Sequence, residues 1–203
     1  MSTSRSLSIS ISIPRLVAER AILWSQRLKE KGGLFVLNEK TCLPHVTLYM
    51  TEFPSKNIIK LKKLINQLAA KTKPFELKAI GYRRHQDGFI EIYYKKSKKI
   101  LGLQKKLLKA LNPLRQGLVR ESDKLIMNRM TARELKYLSK YGYRSVGPCY
   151  SPHLTLSKFK DHKTLTYFPK NTTLFSFTAT RIRLAITGPF STSRKTLAIF
   201  DFI

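Results

Sequence analysis

The feature that most limits how this chain can fold is a pentapeptide that occurs twice, Pro44-His45-Val46-Thr47-Leu48 and Pro152-His153-Leu154-Thr155-Leu156. Each copy reads as a β-strand, since β-branched and aliphatic residues dominate and proline is tolerated at a strand's first position. Side chains two apart on a strand share a face and lie ~6 to 7 Å from each other. His45 and Thr47 therefore project together, as do His153 and Thr155, while Val46, Leu48, Leu154 and Leu156 turn to a buried face. Unbroken alternation would add Tyr49 and Ser157 to the two histidine faces. Two such strands set against each other form a symmetric clamp for a small anion.

A lone His-x-Thr on a strand is most simply a hydrogen-bonded structural histidine. Two copies, using half of the chain's four histidines, argue for chemistry instead. Cleaving a phosphodiester requires a base for the attacking oxygen and an acid for the leaving oxygen, and imidazole titrates in the useful range. The threonine hydroxyls can donate to the nonbridging oxygens, where charge builds in the transition state. The sequence has no HExxH motif, clustered carboxylates or Cys/His set at zinc spacing, so neither a metal nor any other cofactor is expected.

Around these motifs the chain reads as alternating strands and helices. Leu7, Ile9, Ile11 and Ile13 alternate with serines, the period of a first strand with one buried face. Pro14 opens a helix that Gly32-Gly33 ends, and Ser55 caps a second helix with Ile58, Leu61, Ile65 and Leu68 inward. β-rich runs at 75–82 and 89–94 flank a turn at Gln86-Asp87-Gly88, and a lysine-rich helix covers 97–111. Segment 112–150 looks like an insertion, with one short helix near 131–139. After the second histidine strand, 174–186 and 196–202 form a final antiparallel pair. Strand, helix and histidine strand thus recur, which predicts two related α+β lobes in one domain spanning 1–203.

Thirty-nine Lys and Arg against 12 Asp and Glu give a formal charge of +27. That charge fits a polyanionic partner such as RNA, although a generally basic proteome would produce it equally well. Cys42 and Cys149 form no CxxC pair and read as small buried residues at strand entrances. No stretch reaches the ~18 apolar residues of a membrane span, and serines interrupt any signal-peptide core at the start. A cytoplasmic monomer without membrane contact is expected.

The paired motifs resemble those of the two-histidine (2H) phosphoesterase superfamily, which includes the bacterial 2'-5' RNA ligase-like proteins and the cyclic phosphodiesterases. The resemblance implies a bilobed α+β fold, with an antiparallel sheet in each lobe, a central cleft and helices outside. It implies metal-independent cleavage of 2',3'-cyclic phosphates or 2',5' linkages, with RNA or a small nucleotide phosphodiester as partner. His45 and His153 would carry the proton transfers, and Thr47 and Thr155 would bind the phosphate. The segment between the motifs is longer than in compact members, which makes 112–150 a candidate lid or substrate selector. Two alternatives share these residues, namely 2'-5' RNA ligation by the reverse reaction and a non-catalytic basic RNA-binding module.

Overall fold

A computed structural model describes residues 3–85, 87–160 and 171–203. The strands are β1 (Ser4–Ser12), β2 (His45–Pro54), β3 (Phe75–Leu77), β4 (Ala79–Arg84), β5 (Phe89–Tyr94), β6 (His153–Lys158), β7 (Phe177–Ala179), β8 (Arg181–Thr187) and β9 (Ser193–Asp201). The helices are α1 (Arg15–Glu30), α2 (Ile58–Ala69), α3 (Lys98–Leu111), α4 (Glu121–Lys124) and α5 (Ala132–Tyr141). Local chemistry sets several of their ends. Pro14 stands at the N-cap of α1, the Ser97 hydroxyl accepts from the Ile100 amide at the start of α3, and Thr131 with Glu134 closes a capping box on α5. Gly142 ends α5 in the left-handed conformation (φ 64°), which a residue with a Cβ adopts only under strain. The expected run 75–82 breaks at Lys78, where the Ser176 hydroxyl accepts from the Ala79 amide. β3 therefore joins β7 in a small antiparallel sheet while β4 enters the large one. Gln86, the first residue of the expected turn, lies outside the described residues.

The large sheet has seven strands in the order β4-β5-β6-β2-β1-β8-β9, with antiparallel pairing throughout. The two histidine strands lie side by side at its middle, joined by one ladder pair, Val46 with Leu154. About that pair the order is nearly two-fold, since β1 flanks β2 as β5 flanks β6, and β8 corresponds to β4. The recurrent strand, helix and histidine strand are β1-α1-β2 and β5-α3-β6. Each helix packs under the other unit's histidine strand, α1 against β6 and α3 against β2, so the two halves share one core.

Two findings depart from simple alternation. The pattern of β1 predicts one buried face, yet Ser8 and Ser10 are both 0% exposed. The strand is central, flanked on both sides, and residues 188–193 return across the sheet so that Ser193 bridges to Leu43. Segment 112–150 is held as a fixed wall beside β2. Buried Arg115 donates to the carbonyls of Leu118, Ser139 and Lys140, and the Tyr150 hydroxyl donates to Thr47 O at 3.0 Å.

Candidate active site

The ladder pair Val46–Leu154 fixes how the two motifs meet. In an antiparallel register it places His45 across from Thr155 and Thr47 across from His153, so each histidine is set beside the other motif's threonine. The two imidazoles are oriented by the same device. His45 Nδ1 lies 2.8 Å from Leu43 O, and His153 Nδ1 lies 2.7 Å from Ser151 O. A carbonyl only accepts, so Nδ1 carries the proton in both rings and Nε2 is the atom left for chemistry. The prolines at 44 and 152 hold the extended backbone that brings each carbonyl back to its ring. Thr47 is 7% exposed and Thr155 half-buried, and neither hydroxyl is engaged with another group among the described residues.

Around this symmetric centre the charges are unequal. On β1, Ser10 stands opposite Thr47, and beyond it on β8 is Arg183. Arg183 is half-buried; its Nε has no partner among the described residues, and its Nη1 lies a long 3.5 Å from Pro44 O. On β5, Glu91 stands opposite Thr155, and beyond it on β4 is Arg83. Arg83 donates from Nη2 (2.7 Å) and Nε (3.3 Å) to Glu91 Oε2, while Glu91 Oε1 lies 3.4 Å from His153 Nε2. Burial, opposed by the bond to Leu43 O and reinforced by the nearby His153 and Arg183, pushes His45 down to about 4. Burial also works against ionisation of Glu91, but His153 and Arg83 outweigh it and hold the carboxyl below its ordinary value.

Tyr49 and Ser157 do not extend the histidine faces. β2 bulges at Leu48, where register passes from Thr47↔Ser10 to Tyr49↔Ile9, and β6 bulges at Leu156, where it passes from Thr155↔Glu91 to Ser157↔Ile90. Both bulges insert one residue directly after the motif threonine, which turns the next side chain to the core side. The Tyr49 hydroxyl donates to Tyr141 O at 2.6 Å, and the Ser157 hydroxyl donates to Phe35 O at 3.3 Å, both side chains being fully buried. Sequence reasoning also missed Glu91, Arg83 and Arg183. The available signal was a charged residue inside an otherwise apolar strand, as in Ile90-Glu91-Ile92 and Ile182-Arg183-Leu184.

Cys42 is buried, and burial pushes its thiol up to about 11, as suits a small core residue. Tyr143 and Tyr150 are core residues and Tyr82 is exposed. His85 pairs with Asp87 at 2.5 Å near the β4–β5 turn, and His162 lies outside the described residues. Among the described residues, no three His, Cys, Asp or Glu side chains come together as a metal-ligand set. No described helix is long and apolar enough to cross a membrane.

A family model described as "Protein of unknown function (DUF1045)" matches residues 52–184, more than half of the chain, and takes in the second motif but begins after the first. Among curated proteins no significant match is found. Solved structures share the fold over nearly the whole chain. Escherichia coli LigT in complex with 3'-AMP superposes with a TM-score of 0.61 at 16% identity, covering 98% of this chain and 99% of that one. A structure described as a phosphoesterase gives 0.63 at 15% identity, with 98% and 99% covered. TT0787 of Thermus thermophilus gives 0.61 at 15% identity, with 97% of each chain covered.

Proposed function

For this chain, which belongs to the DUF1045 family and has the fold of LigT and the two-histidine phosphoesterases, we propose a phosphodiesterase that hydrolyses 2',3'-cyclic phosphates or 2',5'-linked nucleotides by histidine acid–base catalysis. The observation that carries this reading is the reciprocal pairing at Val46–Leu154, with both imidazoles presenting Nε2. A phosphate seated between the strands would meet one nitrogen on each side, the arrangement needed to take a proton from the attacking oxygen and give one to the leaving oxygen. Thr47 and Thr155 donate to the nonbridging oxygens, and Arg183 supplies positive charge beside His45. LigT structures hold 3'-AMP, ATP and NADP+, which supports a nucleotide as the ligand of the two motifs.

The proposed chemistry is carried by side chains and calls for no metal. Ligation is the same path reversed, and in ~55 M water it needs a second RNA end held firmly in place. Hydrolysis is therefore the reading preferred.

The test is incubation with 2',3'-cyclic mononucleotides and 2',5'-linked oligoadenylate in excess EDTA, with products identified by phosphorus NMR. Hydrolysis to a monoester is expected, at a rate the chelator leaves unchanged. Absence of turnover on every phosphodiester, or activity restored only by added metal, would overturn the proposal.

A further inference from the structure

The near two-fold symmetry of the site is broken by its charges, and the break distinguishes the two histidines. At the place where the His45 half has the small neutral Ser10, the His153 half has Glu91. Glu91 is 4% exposed, with one carboxylate oxygen held by Arg83 and the other facing His153 Nε2 at 3.4 Å. Resting on the phosphodiesterase reading, we infer that Glu91, fixed by Arg83, is a positioning residue that keeps the proton donor on the His153 side of the phosphate, which makes His45 the base and His153 the acid.

The physical reason is the sign of the neighbouring charge. An ionised carboxylate beside Nε2 favours a proton on that nitrogen, whereas a cation disfavours one. The groups facing His153 are Glu91 on β5, Arg83 on β4 behind it, and His45 on β2; those facing His45 are His153 and Arg183 on β8. Arg83 is itself neutralised by Glu91, while Arg183 has no carboxylate partner among the described residues. The carboxylate oxygen thus stands on the β6 side and the cation without a carboxylate partner among the described residues on the β2 side.

In the hydrolytic step His45 Nε2 takes a proton from water as the new O–P bond forms, the P–O bond to ribose breaks, and the departing ribose oxygen takes the proton of His153 Nε2–H. Solvent returns the proton from His45 to His153, leaving a monoester and no other change. With a p-nitrophenyl phosphodiester the leaving group departs as a stable anion and needs no acid, so only the base is required.

The experiment compares a 2',3'-cyclic mononucleotide with thymidine 5'-(p-nitrophenyl) phosphate for wild type, His45→Ala, His153→Ala, Glu91→Gln and Glu91→Asp. His153→Ala should lose at least about tenfold less activity on the nitrophenyl ester than on the cyclic phosphate, while His45→Ala should lose as much on both. Glu91→Gln should lose about tenfold on the cyclic phosphate and clearly less on the ester, and Glu91→Asp, which keeps the charge, should recover part of it. On the cyclic phosphate the double variant Glu91→Gln/His153→Ala should be no slower than His153→Ala, because Glu91 acts through that ring. Sparing of His45→Ala by the ester would reverse the assignment and overturn the inference. Multiplying losses in the double variant would make Glu91 a structural residue and overturn it too. If Glu91→Gln does not fold, the two histidine variants still decide which ring is the acid. Full activity of both histidine variants would instead remove the phosphodiesterase mechanism itself, an outcome distinct from the others.

Discussion

The two halves of the site share one backbone design and differ in what surrounds it. Each has a proline-led strand, an imidazole tied by Nδ1 to the carbonyl two residues before, a threonine, and a bulge at the following leucine. Around His45 the neighbours are a serine hydroxyl and a cation without a carboxylate partner among the described residues, whereas around His153 they are a carboxylate and the arginine that holds it. Backbone symmetry places the two imidazoles alike, and on the proposed mechanism side-chain asymmetry divides the labour between them. A clamp with identical charges on both sides would bind an anion well but give neither imidazole a preferred protonation state.

The largest expected effect tests the shared part. Replacing either histidine by alanine should lower kcat for the best substrate by roughly two to four orders of magnitude, and replacing both should cost less than the product of the single losses. A folded His153→Ala variant with full turnover on a substrate the wild type cleaves would leave β6 as a structural strand. The next effect tests the difference between halves. Arg183→Met removes the cation that no described carboxylate neutralises and should cost roughly tenfold to a hundredfold in kcat/KM. Arg83→Met should cost less, since that cation's charge is already spent on Glu91. Equal losses would show that the phosphate senses both arginines alike and would break the comparison.

The shared part was legible in the sequence and the difference was not. The histidine and threonine positions follow from the two-residue repeat of a strand, which depends only on neighbours along the chain. The bulges at Leu48 and Leu156 depend on the partner strands, which have one residue fewer over the same stretch, so alternation wrongly extended the site to Tyr49 and Ser157. Glu91 and Arg183 reach the site through the pairings of β5 with β6 and of β8 with β1, strands separated by long stretches of chain, and Arg83 joins Glu91 across the β4–β5 pair. The serines of β1 looked solvent-facing because serine is usually exposed, and their burial in the middle of a sheet depends on chain that is distant in sequence.

A smaller effect lies in the pH profile. On the proposed mechanism the base must be unprotonated, and burial, with His153 and Arg183 nearby, pushes His45 down to about 4. The acid limb of kcat/KM should therefore lie low, with activity holding as pH falls through ~6 and ~5 and dropping only near 4, the apparent value belonging to the coupled pair. Arg183→Met removes the neighbouring arginine charge and should move that limb to higher pH by less than about one unit. An acid limb that stays put in this variant would mean that Arg183 does not act on His45.

The smallest effect contrasts Ser10 with Glu91, the residues opposite the two threonines. The Ser10 hydroxyl is fully buried and has no hydrogen-bond partner among the described residues, so it bears a desolvation cost that no protein contact offsets. An unpartnered buried polar group of this kind costs about 1 to 3 kcal/mol, and the methyl of alanine fits the same space. Ser10→Ala should therefore leave kcat within about twofold of wild type and raise the urea midpoint, with the gain in unfolding free energy near the lower end of that range. The corresponding change on the other side, Glu91→Ala, should lower both activity and stability, because it strands Arg83 and removes the charge beside His153. If Ser10→Ala instead loses about tenfold in kcat with unchanged stability, the hydroxyl is held unpaired for the ligand, and the His45 half contributes a donor where the His153 half contributes a carboxylate.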